Sequence, residues 1–130
     1  MIVVHNLRKQ DNKTYNNMTI DEWKKLYNIL DAEHSTFLLE YPTMRRGRNK
    51  KIRATAERKV DNSIRLAKIW IQKYPEAFNL LTGGDDTSDF GRAIIWDEFI
   101  RPNYFGGDMT EFLEKIKKKI KSLEEENNND

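Results

Sequence analysis

Apolar residues recur at helical spacing along most of the chain. Ile20, Trp23, Leu26 with Tyr27, and Leu30 step by three or four positions, as one buried face of a helix does. Thr19 and Glu22 stand where a capping box needs them, which predicts a helix starting at Ile20. The stripe is interrupted over residues 31–34. Residues 35–41 then read as a second short helix, with a strand through Phe37, Leu38 and Leu39 as the rival. Pro42 closes this segment in either case, because a residue before proline avoids the helical region.

Residues 43–49 read as a loop around Gly47. The longest periodic stretch follows in Ile52, Ala56, Val60, Ile64, Ala67, Trp70 with Ile71, and Tyr74. Pro75 stops or kinks that helix, residues 76–81 add a turn or two, and Gly83 with Gly84 breaks the pattern. Ser88 or Asp89 can cap a further helix carrying Phe90, Ala93, Ile94 and Ile100 and ended by Pro102; a strand over residues 93–99 is the alternative. Gly106 and Gly107 read as a hinge, and Asp108 with Glu111 as the cap of a last helix burying Phe112, Ile116, Ile120 and Leu123. Glu124, Glu125 and Glu126 put negative charge at the negative end of that helix, so residues 124–130 are expected to fray into a disordered acidic, Asn-rich tail.

At the other end, residues 2–7 form a short apolar run around His5, too short for periodicity to assign, and residues 9–17 are polar and loop-like. The expected fold is mainly α: a compact bundle of four or five helices with an N-terminal arm or short strand, one domain over residues 1–123. An α+β fold is the alternative, if residues 35–41 and 93–99 are strands.

With no cysteine, disulfides, thiolate zinc sites, iron–sulfur clusters and cysteine nucleophiles are excluded together. The chain opens without a long apolar signal segment, and no apolar run approaches the roughly 18 residues of a membrane span, so a cytoplasmic location and no membrane partner are expected. The richness in Lys, Asn and Ile resembles AT-rich coding sequence and suggests a phage or mobile-element origin.

Net charge is only +2, so the distribution of charge matters more than its sum. Positive charge gathers in Arg45, Arg46, Arg48, Lys50, Lys51 and Arg53, then Arg58 and Lys59, and again over residues 115–121. The plain reading of the first run is a solvated face, with Arg53–Glu57 and Asp61–Arg65 as i,i+4 pairs. Lys50, Lys51 and Arg53 fall in the first turn of the long helix, however, where cations oppose the macrodipole. An anion docking there would reverse that penalty. A phosphate could use free helix-start amides and arginine forks, with Gly47 permitting close approach.

The leading expectation is therefore a small non-enzymatic regulator that binds nucleic acid, DNA or RNA, or a nucleoprotein complex. Its contacts would be Arg45, Arg46, Arg48, Lys50, Lys51, Arg53 and Arg58. The alternative is an inhibitor or adaptor that docks the same patch on an acidic enzyme surface, with a host protein as target. Tyr104 and Phe105 beside the glycine pair are candidate protein-binding anchors, although closing over the core is the simpler role for two aromatics.

Other chemistry is thin. Asp85, Asp86 and Asp89 suggest a hard-cation loop, but Phe90 and Trp96 stand where an EF-hand needs Gly and Glu, so a turn feeding a helix cap is the better reading. His5 and His34 lie in no metal or triad motif, and Glu33, His34 and Ser35 in succession do not define a catalytic group. No cofactor, metal or small-molecule substrate is expected.

Overall fold

A computed structural model describes residues 17–83 and 88–128. These residues form a compact bundle of helices: α1 (Ile20–Arg46), α2 (Lys50–Lys73), α3 (Pro75–Thr82), α4 (Asp89–Phe99) and α5 (Pro102–Asn128). Among the described residues there is no strand. The mainly helical expectation holds and both strand alternatives fall away. The N-terminal arm and His5 lie outside the described residues.

The capping box at the start of α1 is in place. Thr19 Oγ1 accepts from the Glu22 amide at 3.1 Å, and Glu22 Oε1 accepts from the Thr19 amide at 3.0 Å. The expected break at residues 31–34 is absent. His34 carries the buried stripe from Leu30 to Phe37, and α1 continues through Pro42 for 27 residues. Proline removes one ladder hydrogen bond, but tertiary contacts flank it closely. Tyr41 stacks on Phe37 at 5.0 Å and donates to Asn103 Oδ1 at 3.1 Å, and Glu40 pairs with Lys59 at 3.4 Å. These hold the last turn helical, so Arg45 and Arg46 belong to α1 and not to a loop.

Helix α2 returns antiparallel beside α1. Glu40 meets Lys59 near the turn, and Lys25 meets Trp70 at the far end, 5.5 Å from the ring centroid. Its buried positions are Ala56, Val60, Ser63, Ile64, Ala67 and Ile71. Ile52 is exposed, and Trp70 is only half-buried, with Lys25 and Lys73 over its ring. Pro75 ends α2 as expected and opens α3, which Gly83 terminates in the left-handed region at φ 92°.

Ser88 caps α4 by accepting from the Gly91 amide at 3.1 Å. The face that α4 buries is not the one its leading apolar residues suggest. Phe90, Ala93 and Ile94 point outward, Phe90 being 76% exposed, while Trp96 and Phe99 turn inward. The aromatic pair wins because it has partners: Trp96 meets Phe78 at 5.2 Å, and Phe99 meets Phe105 and Phe112 at 5.5 and 6.1 Å.

Helix α5 starts at Pro102 and runs straight through Gly106 and Gly107, so neither the hinge nor the cap at Asp108 exists. Packing against α1 explains Gly106. A Cβ there would stand 3.2 Å from Phe37 Cε1, and the Gly106 carbonyl accepts from His34 Nε2 and Thr110 Oγ1, both at 2.9 Å. The glycine lets two long helices approach closely. The expected tail is helical as far as Asn128, and Glu124 reaches Lys24 at 3.3 Å.

Helices α1, α2 and α5 thus enclose the core, with α3 and α4 covering one side. Among the described residues one buried side-chain polar atom is unsatisfied: the indole N–H of fully buried Trp23 has no hydrogen-bond partner there, an arrangement costing about 1–3 kcal/mol. None of the described helices is long and apolar enough to cross a membrane.

Candidate nucleic-acid interface

The turn between α1 and α2 consists of Gly47, Arg48 and Asn49, and it gathers the cations from both sides. Arg45 and Arg46 occupy the last turn of α1, where positive charge suits the dipole. Lys50 and Lys51 open α2, whose first turn holds no acidic residue, so there the sign is unfavourable. The negative end of α1 lies beside that positive helix start and offsets part of the penalty. The conflict between charge and dipole is therefore milder than the sequence implies.

Asn49 caps α2 by accepting from the Ile52 amide at 2.9 Å, a role the loop reading missed. That amide, and the Arg53 amide bonded to the Asn49 carbonyl at 3.0 Å, are already occupied. The Lys50 and Lys51 amides remain as the donors of this helix start that no such contact uses.

Five cations stand clear of any partner. Arg45, Arg46, Arg48, Lys50 and Lys51 are all exposed, and among the described residues none has a side-chain ion pair or hydrogen bond. Arg53 differs. It is half-buried and donates to the Gly47 carbonyl at 2.8 Å, clasping the turn from within. Its expected pairing with Glu57 is absent, as is Asp61 with Arg65, which instead donates to Asn62 Oδ1 at 2.6 Å. Arg58 is exposed on α2, seven positions beyond Lys51, with only a 3.4 Å contact to Thr55 Oγ1.

Gly47 has a structural role in the turn. A Cβ at this position would meet the Thr43 carbonyl oxygen at 2.6 Å and Arg53 Cγ at 3.0 Å.

The fold adds one residue to this end of the molecule. The Tyr41–Asn103 hydrogen bond fixes the start of α5 beside the last turns of α1, so exposed Arg101 stands at the same end as Arg45, one helical turn beyond Tyr41. Only the contact across the fold connects Arg101 with the other cations. The second basic run, over residues 115–121, is partly neutralised from inside. Lys117 pairs with Glu114 at 3.6 Å, and Lys119 with Glu76 at 3.3 Å.

The apolar candidates separate. Phe105 is fully buried among Phe37 and Phe99, whereas Tyr104 is 49% exposed. Phe105 is thus a core residue and not a surface anchor. Leu38 and Leu39, 54% and 74% exposed on the outer face of α1, lie just before the cationic turn.

His34 sits in the seam between α1 and α5, with Nε2 committed to the Gly106 carbonyl, while Ser35 is exposed on another face. Among the described residues no group of three or more His, Cys, Asp or Glu side chains is arranged to hold a metal ion; Asp85 and Asp86 lie outside them. Comparison with family models, curated proteins and solved structures finds no match to this chain.

Proposed function

We propose that this protein is a small non-enzymatic regulator that binds nucleic acid, or a nucleoprotein complex, through the cationic end of the α1–α2 hairpin. The observation that carries the reading is the set of five exposed, unpartnered cations at one turn. Side chains of one sign crowded together and left without internal partners favour a polyanion, because each phosphate neutralised releases a condensed counterion. Arg45, Arg46 and Arg48 supply the forked donors that suit phosphate, Lys50 and Lys51 add point charges at the helix start, and Arg58 and Arg101 extend the footprint. Contacts of this kind position a protein on a backbone without selecting a sequence. The composition supports a cytoplasmic regulator of phage or mobile-element origin.

The test is a salt titration against a random duplex and a random RNA. Affinity should fall by orders of magnitude between low and physiological ionic strength. Changing Arg45, Arg46 and Arg48 together to Ala should weaken binding sharply, while stability falls only by the helix-end contribution of Arg45 and Arg46, roughly 0.3–1 kcal/mol each. Salt-independent affinity, or equal affinity in the triple variant, overturns the reading.

A second reading has its own support in Leu38 and Leu39, which expose apolar surface next to the cations. An inhibitor or adaptor that meets an acidic protein surface would use both. Changing the two leucines to Ser separates the readings: nucleic-acid affinity stays the same, whereas affinity for a protein target falls.

A further inference from the structure

Two helices begin at the cationic end of the bundle. Helix α2 opens there with Lys50 and Lys51, and α5 opens beside the last turns of α1, where the Tyr41–Asn103 hydrogen bond pins it. Neither start carries an acidic residue in its first turn. The residue before α5 is Arg101, whose carbonyl accepts from the Tyr104 and Phe105 amides, both at 3.0 Å. Its guanidinium is exposed and has no partner among the described residues, so Arg101 repeats at α5 what Lys50 and Lys51 do at α2: a cation set against a helix dipole.

An aromatic ring stands next to it. Among the described residues Phe90 and Tyr104 are the exposed aromatics, and their settings differ. Phe90 follows Asp89 in a helix start that holds an acid. Tyr104 lies in the first turn of α5, three positions from Arg101; among the described residues its ring stacks on no other and its hydroxyl has no hydrogen bond. Burial in the core, the ordinary role of such a ring, falls to its neighbour Phe105. Acidic side chains begin one turn further on, at Asp108 and Glu111, so the favourable surface runs from the turn over Arg101 and stops at Tyr104.

We infer that the nucleic acid held at this end is single-stranded, its backbone crossing from the α1–α2 turn to Arg101 and one unpaired base stacking on Tyr104. The inference rests on the nucleic-acid reading of the turn and names the form of the ligand. Single strands are held by cations that follow the backbone together with aromatic faces that accept any base. A duplex can meet the same cations, but its bases are stacked on one another and leave Tyr104 without a contact. DNA and RNA single strands share this chemistry.

The test is fluorescence anisotropy of the full chain with short labelled oligo(dT), oligo(U) and a random duplex over a range of salt. Binding of either single strand meets the expectation, and the tighter of the two identifies the sugar. Tyr104→Ala should weaken single-strand binding by roughly five- to a hundredfold and leave duplex binding as it is. The slope of log affinity against log salt should not change in that variant, since a stacked base releases no counterion, whereas Arg101→Ala should shrink it by about 0.7 on a single strand. Tyr104→Phe should bind like the native chain, and Phe90→Ala should change nothing. Thermal melts check that Tyr104→Ala, at an exposed site, keeps its fold. Unchanged single-strand affinity in Tyr104→Ala, an equal loss on the duplex, or the same loss in Tyr104→Phe each overturns the inference and leaves the reading of the turn standing. Absent or salt-independent binding to all three nucleic acids overturns that reading with it.

Discussion

Reversing the charge of Lys50 and Lys51 separates a binding patch from a structural one, because stability and binding should respond in opposite directions. Both residues lie in the first turn of α2, exposed and without a side-chain partner among the described residues. A cation at a helix start costs roughly 0.3–1 kcal/mol and an anion gains a similar amount. For Lys50→Glu and Lys51→Glu together the ceiling would be several kcal/mol. The adjoining end of α1 already offsets part of that field, so a net stabilisation of about 0.5–2 kcal/mol is expected. The Asn49 cap is untouched, and the new carboxylates lower the positive charge crowded around the turn that carries Arg45, Arg46 and Arg48, which adds to the gain. For a chain of this size the thermal midpoint should rise by roughly 2–8 °C. Affinity for duplex should fall meanwhile, and the slope of log affinity against log salt should shrink by about two, near 0.9 for each phosphate no longer neutralised. Calorimetry and fluorescence anisotropy at several salt concentrations read the two effects. A lowered midpoint would refute the reasoning, because it would mean that the lysines support the fold.

Three further outcomes follow from the packing. Gly47→Ala should cost about 1–3 kcal/mol in chemical denaturation, since its Cβ would collide with the Thr43 carbonyl and with Arg53. Phe105→Ala should lose about 3–5 kcal/mol, while Tyr104→Ala, at its exposed neighbour, should stay within about 0.5 kcal/mol. Asp108 has its pKa raised, first by burial and then by Glu111 and Glu98 nearby. A raised carboxyl favours the folded state while protonated, and that contribution disappears as pH climbs through the folded pKa. Asp108→Asn should therefore raise the midpoint at neutral pH and lose its advantage under acid conditions, as thermal melts across pH will read.

What the sequence revealed and what it hid follow a physical division. The capping box at Thr19, the long stripe of α2, the stop at Pro75 and the cap at Ser88 are local features, and each was legible. Pro42 and the pair Gly106–Gly107 misled because their local preference against helix is overridden by contacts formed only in the folded state. Phe37 against Tyr41 and His34 against Gly106 are the decisive ones. In α4 the helical period was right and the phase wrong, since nothing local tells that Trp96 and Phe99 have aromatic partners while Phe90, among the described residues, has none. The cations of the candidate interface are visible in the sequence. Their sorting is not: Arg53 turning inward and Arg101 joining from α5 depend on hydrogen bonds to Gly47 and between Tyr41 and Asn103.

The short turn at Gly47 also orders events in time. Contacts between α1 and α2 join residues near each other in the chain, whereas the seam between α1 and α5 joins His34 to Gly106, 72 positions away. Local contacts close with little loop entropy, so the hairpin assembles first and serves as the template on which α5 lands. During synthesis from the N-terminus, His34 and Phe37 lack their α5 partners until that helix has left the ribosome. That interval is when the nascent chain is most prone to aggregate, and variants that slow the docking of α5 should reduce yield before they reduce the stability of the finished protein.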